Sequence, residues 1–120
     1  MENSFSNDNT NPKYEQQVKT IEEQAAKSKS MTTDIPRFHF LIGNINRDSI
    51  PLGQTKVFDI YAQARDYDEI VDYVFTANTL TPHIFAVVPV DKQHWEVHVF
   101  NNSGGPVEVA VAPVYVRHQV

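Results

Sequence analysis

The sequence contains no cysteine, which excludes disulfides, thiolate metal sites and cysteine nucleophiles. Its four glycines build no phosphate-cradling loop, and Gly104-Gly105 stand together as turn residues. No apolar run approaches the about 18 residues that a membrane-spanning helix takes, so no membrane partner is expected. Met1 is not followed by a charged stretch and an apolar core, so no signal peptide is expected and a cytoplasmic location is. Basic residues are also short: ten Lys and Arg stand against fifteen acids, a formal net charge of −5. Residues 1–35 carry four lysines against six acids, and residues 36–120 six basic residues against nine acids. Without a basic stripe to neutralise phosphates, nucleic-acid binding is disfavoured.

What the 120 residues do hold, 41% of them hydrophobic and 21% charged, suits one globular domain with a modest core. The richest stretch predicts three strands: HIFAVVPV (83–90), HWEVHVF (94–100) and PVEVAVAPVYV (106–116). The links Asp91 to Gln93 and Asn101 to Gly105 have hairpin length and composition. Apolar residues on both faces of 83–90 imply a strand covered on both sides. Trp95, Val97 and Val99 share the face expected to meet the core. Pro89 and Pro113 cannot donate to a ladder and belong at ends, edges or bulges. In the last strand Val107, Val109 and Val111 share one parity and Val114 and Val116 the other, which predicts a register shift at Pro113.

Upstream, RFHFLIGNI (37–45) alternates Phe38, Phe40 and Ile42 against His39 and Leu41 and reads as a strand. An irregular loop is expected over 46–54, with Pro51 and Gly53 as breakers. TKVFDIYAQA (55–64) is the next strand, with Phe58, Ile60 and Ala62 on one face and Val57, Asp59, Tyr61 and Gln63 on the other. In 66–77 the spacing of Tyr67, Ile70, Val71, Val74 and Phe75 fits one helical face, and Asp66, Asp68 and Glu69 suit a helix start.

Residues 1–11 are polar, Asn-rich and expected to be disordered. Asn11-Pro12 is a helix-start signal, and the following segment carries a narrow stripe of Tyr14, Val18, Ile21 and Ala25. A polar linker over 28–34 sets this helix apart. The expected organisation is therefore a tail, short amphipathic helix and linker over 1–34, then a compact sheet-rich domain over 35–120. The fold class is α+β: a mostly antiparallel sheet of about five strands, one amphipathic helix over 66–77 and a detachable N-terminal helix. The alternative is a small β-sandwich or barrel with 66–77 partly extended.

Chemistry is sparse. His94, Glu96 and His98 share a strand face, and imidazole and carboxylate suit zinc, iron or manganese. However, the two histidines lie roughly 13 Å apart along a strand, so only neighbours could share a metal. The same residues also read simply as the solvated face of an amphipathic strand. His39, His83 and His118 follow no ligand spacing, Ser49 and Ser103 lack a nucleophile-elbow context, and no catalytic residue is assigned. The functional expectation is thus a non-catalytic protein–protein interaction module, an adaptor or inhibitor, acting as a homo-oligomer with no cofactor. A metal-binding protein or metal-dependent enzyme using His94, Glu96 and His98 is the alternative, with a divalent metal as its cofactor. A second alternative is an acidic mimic that blocks a nucleic-acid-binding surface. The candidate interaction residues are Tyr14, Val18 and Ile21 on the helix and Asp66, Asp68, Glu69 and Asp72.

Overall fold

The computed structural model of the chain describes residues 10–30, 40–62 and 65–117. The expected disorder of 1–9, the linker residues 31–34, the strand start at 35–39, residues 63–64 and His118 lie outside the described residues. One helix, α1 (Tyr14–Ser30), precedes seven strands: β1 (Phe40–Ile42), β2 (Asn46–Ile50), β3 (Thr55–Tyr61), β4 (Asp68–Ala77), β5 (His83–Asp91), β6 (His94–Phe100) and β7 (Val107–Arg117). All strand pairings are antiparallel. β7 pairs with β4 along one side and with β1 and β2 in succession along the other, while β3, β6 and β5 form a separate three-stranded sheet. The two sheets pack face to face without closing into a barrel. The core between them joins Phe58, Ile60, Val97 and Val99 of one sheet to Ile50, Val107, Val109, Val111 and Tyr115 of the other.

The described residues hold seven strands, not about five, because the expected loop over 46–54 contains β2, which pairs with Val107 to Val111 before the chain turns at Pro51. The expected helix over 66–77 is strand β4. A bulge at Val71, between the pairs Ile70–Tyr115 and Asp72–Val114, shifts the inward parity. Ile70 and then Tyr73, Phe75 and Ala77 face the core, and that three-residue step imitates a helical repeat.

β7 itself keeps one parity: Val107, Val109, Val111 and Tyr115 all enter the core, so the shift expected within it at Pro113 is absent. Its neighbours carry the irregularity. The break between β1 and β2 falls at 43–45, opposite Pro113, where Gly43 N–H donates to the Pro113 carbonyl at 3.0 Å. Within β1 the buried residue is Leu41, whereas Phe40 is exposed.

The link Asn101 to Gly105 is not a hairpin, since β6 and β7 belong to different sheets. The crossing is organised by Asn101, which is fully buried. Its amide donates to the Ile50 and Gly105 carbonyls, and its side-chain oxygen accepts from Ser103 N–H and Oγ. The Asp91 to Gln93 hairpin between β5 and β6 forms as expected. β5, however, lies at a sheet edge and is not covered on both faces; Phe85, Val88 and Val90 are exposed.

The N-terminal helix, expected to be detachable, is docked. Asn11 caps it by accepting Lys13 N–H, as the sequence implied, and Thr10 and Asn11 are tied to Thr79 and Asn78. Tyr14 and Val18 pack on Ala110, and Ala25 and Ser28 continue the buried stripe. The outward side of β7 presents Ala110 and Ala112, both fully buried, and such small side chains let a helix approach a sheet closely. Ser28 Oγ accepts the Ile42 amide, and Arg47 bridges Glu15 of α1 and Glu108 of β7. The layers therefore run helix, four-stranded sheet, three-stranded sheet. No described helix is long and apolar enough to cross a membrane.

Candidate functional site

Among the described residues, no element covers the outer side of the β3–β6–β5 sheet. Alternation along β6 sends Val97 and Val99 into the core and His94, Glu96 and His98 outward. Trp95 follows the inward parity but sits at the margin of the core, half-buried. In register with the outward row lie Tyr61, Asp59 and Val57 of β3, opposite His94, Glu96 and His98 respectively. On the other side Val88 opposes Glu96 and Ala86 opposes His98, with Phe85 bulged out beside them.

The polar groups of this face are paired with one another. His94 Nε2 meets Asp59 Oδ1 at 2.8 Å, and His98 Nε2 meets Glu96 Oε1 at 3.1 Å. Tyr61 stacks on the His94 ring at 4.4 Å, and Phe85 approaches the His98 ring edge-on at 5.8 Å. Around these pairs the large apolar side chains stand in solvent: Val57 is 42%, Tyr61 47%, Phe85 54% and Val88 41% exposed. Four such residues stand on one sheet face, Val57 and Tyr61 on one side of the His94, Glu96 and His98 row and Phe85 and Val88 on the other.

The β3 side of the face runs into two shallow hollows that meet at Asn44 and Tyr61. One, of about 370 Å³, is bounded by Lys29, Ile42, Gly43, Ala62 and Tyr115. The other, of about 430 Å³, is bounded by Ile45, Asn46, Arg47 and Asp59. Arg47 is committed to Glu15 and Glu108, and the Asn46 amide to the Asp59 carbonyl.

The expected metal ligands thus share one face, but each histidine is engaged by a carboxylate, Asp59 or Glu96. Among the described residues no group of three or more His, Asp or Glu side chains is arranged to hold a metal. The four acids expected to act together are separated. Asp68 is fully buried in a bidentate pair with Arg117, at 2.7 and 3.1 Å, and also accepts Arg65 N–H. Asp66 is exposed in the preceding turn, Glu69 is half-buried, and Asp72 is exposed with its carboxylate on Tyr73 N–H. Tyr14 and Val18 spend their apolar surface inside the chain, and Ile21 is half-buried.

Sequence reading missed Val57, Asp59, Tyr61, Phe85 and Val88 as members of the same face as the histidines. Their parity within β3 and β5 was readable; the pairing of both strands with β6 was not. Comparison of the chain with protein-family models, curated proteins and solved structures returns no match.

Proposed function

We propose that the protein is a non-catalytic protein–protein interaction module, an adaptor or inhibitor that works in the cytoplasm and binds through the outer face of the β3–β6–β5 sheet. The observation that carries this reading is the cluster of Val57, Tyr61, Phe85 and Val88 in solvent around paired polar groups. Removing such a patch from water yields about 25 cal/mol per Å², while the rim of imidazoles and carboxylates sets register. The face presents neither lysine nor arginine among these residues, so a phosphate backbone has little to pair with. The two other readings have weaker support. A metal would have to displace both histidine–carboxylate pairs, and an acidic mimic would rely on Asp68, which already neutralises Arg117.

The test is a double variant, Phe85→Asp with Val88→Asp. Both side chains are exposed, so its melting should follow the wild type within about 0.5 kcal/mol. Proteins retained by the wild type are purified as defined complexes and offered to the variant. Loss of those complexes supports the reading, and equal retention by both forms sinks it.

A further inference from the structure

We infer that the hollow where β1 ends beside β3 binds a small organic carboxylate with an apolar body, held by Tyr115, Lys29 and Asn44. This ligand site goes beyond the protein-binding reading and meets that face only at Tyr61.

The hollow lies at the break opposite Pro113. With no proline N–H to pair with, the chain leaves β1 after Ile42 and resumes pairing only at Asn46. The space beside that departure, about 370 Å³, falls at the small end of ligand pockets, roughly 300–1,000 Å³. Its backbone walls are already committed. Ile42 N–H donates to Ser28 Oγ at 3.0 Å, Gly43 N–H to the Pro113 carbonyl at 3.0 Å and Ala62 N–H to the Gln93 carbonyl at 2.9 Å. These bonds hold the walls in place and leave side chains to supply the polar contacts of a ligand.

Three side chains are available. Tyr115 is 4% exposed, yet its hydroxyl has no hydrogen-bond partner among the described residues, where a buried phenol ordinarily finds one. Its charged neighbours Asp68 and Arg117 are taken up with each other. The Tyr115 ring belongs to the core and the residue borders the hollow, so the hollow is the side from which a partner reaches the hydroxyl. Burial raises the phenol pKa above its ordinary value, and the group therefore stands there as a donor. Asn44 borders the same space, as does Lys29 in the exposed last turn of α1. Neither side chain has a partner among the described residues.

Charge then selects the ligand. The chain carries a net charge of −5, yet the described residues around this hollow include one cation and no acid. An anion is the solute whose desolvation such a lining offsets. One ammonium with two neutral donors matches the single charge and two oxygens of a carboxylate. A phosphate ordinarily takes several cations or a row of backbone amides, and the Ile42, Gly43 and Ala62 amides are spent. Ile42, Ala62 and the Tyr115 ring supply the apolar lining that the uncharged body fills.

The test titrates the full chain, labelled with nitrogen-15, with benzoate and with hexanoate while backbone amide shifts are followed. Saturable shifts centred on Gly43, Asn44 and Ala62 are expected with at least one of them. The neutral amides of the two acids should bind more weakly by about tenfold or more. Lys29→Gln, at an exposed position, and Tyr115→Phe, which keeps the ring in the core, should each weaken binding about tenfold. Lys29→Gln decides the matter if Tyr115→Phe fails to fold. No saturable shift with either carboxylate overturns the site. Equal or tighter binding of the neutral amides or of inorganic phosphate overturns the carboxylate class, and unchanged binding by a folded variant overturns the role of that residue. Phe85→Asp with Val88→Asp lies outside the hollow and should bind carboxylate as the wild type does, so this site and the protein-binding face stand or fall separately.

Discussion

Gly43 lies against Pro113 so closely that a Cβ at position 43 would come within 2.7 Å of the proline Cγ and 3.2 Å of the Tyr61 carbonyl oxygen. The contact exists because Pro113 has no N–H to offer across the ladder. The opposing chain leaves strand geometry at 43–45, and Gly43 N–H takes the proline carbonyl instead. Gly43→Ala should cost about 1–3 kcal/mol, the range for overpacking a filled site. Chemical denaturation checks this, and the loss should shrink in Gly43→Ala combined with Pro113→Ala, because the clashing ring is then gone.

Asp68 and Arg117 form the buried ion pair that closes the end of the β4–β7 ladder, and the aspartate holds the guanidinium firmly in its charged state. Removing Asp68 takes away the carboxylate that balances the buried Arg117 guanidinium, so Asp68→Ala should cost about 3–5 kcal/mol. Replacing both, as Asp68→Leu with Arg117→Met, should cost much less, since an apolar pair of similar volume avoids desolvation. Additive losses in the double-mutant cycle would count against the pair acting as a unit.

These two relationships show what could and could not be read from the chain. The helix stripe, the Asn11 cap, β3, β6 and their inward residues follow from period and end signals, and all were legible. The β4 segment misled because its bulge at Val71 turns a two-residue period into a step of three, from Ile70 to Tyr73. Pro113 announced an irregularity, yet the proline stays in register while the chain opposite it breaks between β1 and β2 at 43–45, and β4 bulges separately at Val71. Of the candidate site, the outward row His94, Glu96 and His98 was visible, whereas Asp59, Tyr61 and Phe85 join it only through cross-strand register. Glu96 sits 37 positions from Asp59 in sequence, and no local pattern encodes that pairing.

Asn101 offers a third check on what holds the two sheets together. Its side chain satisfies the Ile50 and Gly105 carbonyls and accepts from Ser103. Asn101→Ala removes the donor to the buried Ile50 carbonyl and the acceptor of the Ser103 amide, while the Gly105 carbonyl keeps the Ser103 hydroxyl, and it should cost about 1–3 kcal/mol. Asn101→Asp should be no better tolerated, because it removes both donors and buries a charge. Thermal melts that match the wild type for either variant would contradict this role.

The Asp48 caps of β2 make a smaller, pH-dependent contribution. The Lys56 ammonium and the Ser49 amide hold the Asp48 carboxyl below the usual aspartate range. A depressed folded-state value means that this support is present above the ordinary aspartate pKa and is lost as pH falls through the lowered one. Asp48→Asn should therefore flatten the acid limb of the stability profile slightly, with little effect at neutral pH because the group is exposed.

The strongest pH signature should come from Tyr14 at the opposite extreme. Its ring is buried under α1 against Ala110, with the Arg47 guanidinium 5.2 Å from the ring centroid, and its hydroxyl makes no hydrogen bond. Burial is the largest influence on the phenol and pushes its pKa from the ordinary 10 to about 12. The raised folded-state value means that the neutral phenol's contribution is complete below pH 10 and is lost as pH climbs toward 12. Tyr14→Phe keeps the packing and removes both the ionisable group and an unsatisfied buried hydroxyl. It should be neutral or stabilising by up to about 1 kcal/mol at pH 7, and it should hold α1 in place at higher pH than the wild type does. Tyr14→Ala, by contrast, should cost about 3–5 kcal/mol, the range for emptying a buried aromatic site. Circular dichroism across the alkaline range, with absorbance following tyrosinate formation, distinguishes these outcomes. If the phenylalanine variant loses its helix at the same pH as the wild type, ionisation of Tyr14 is not what releases α1.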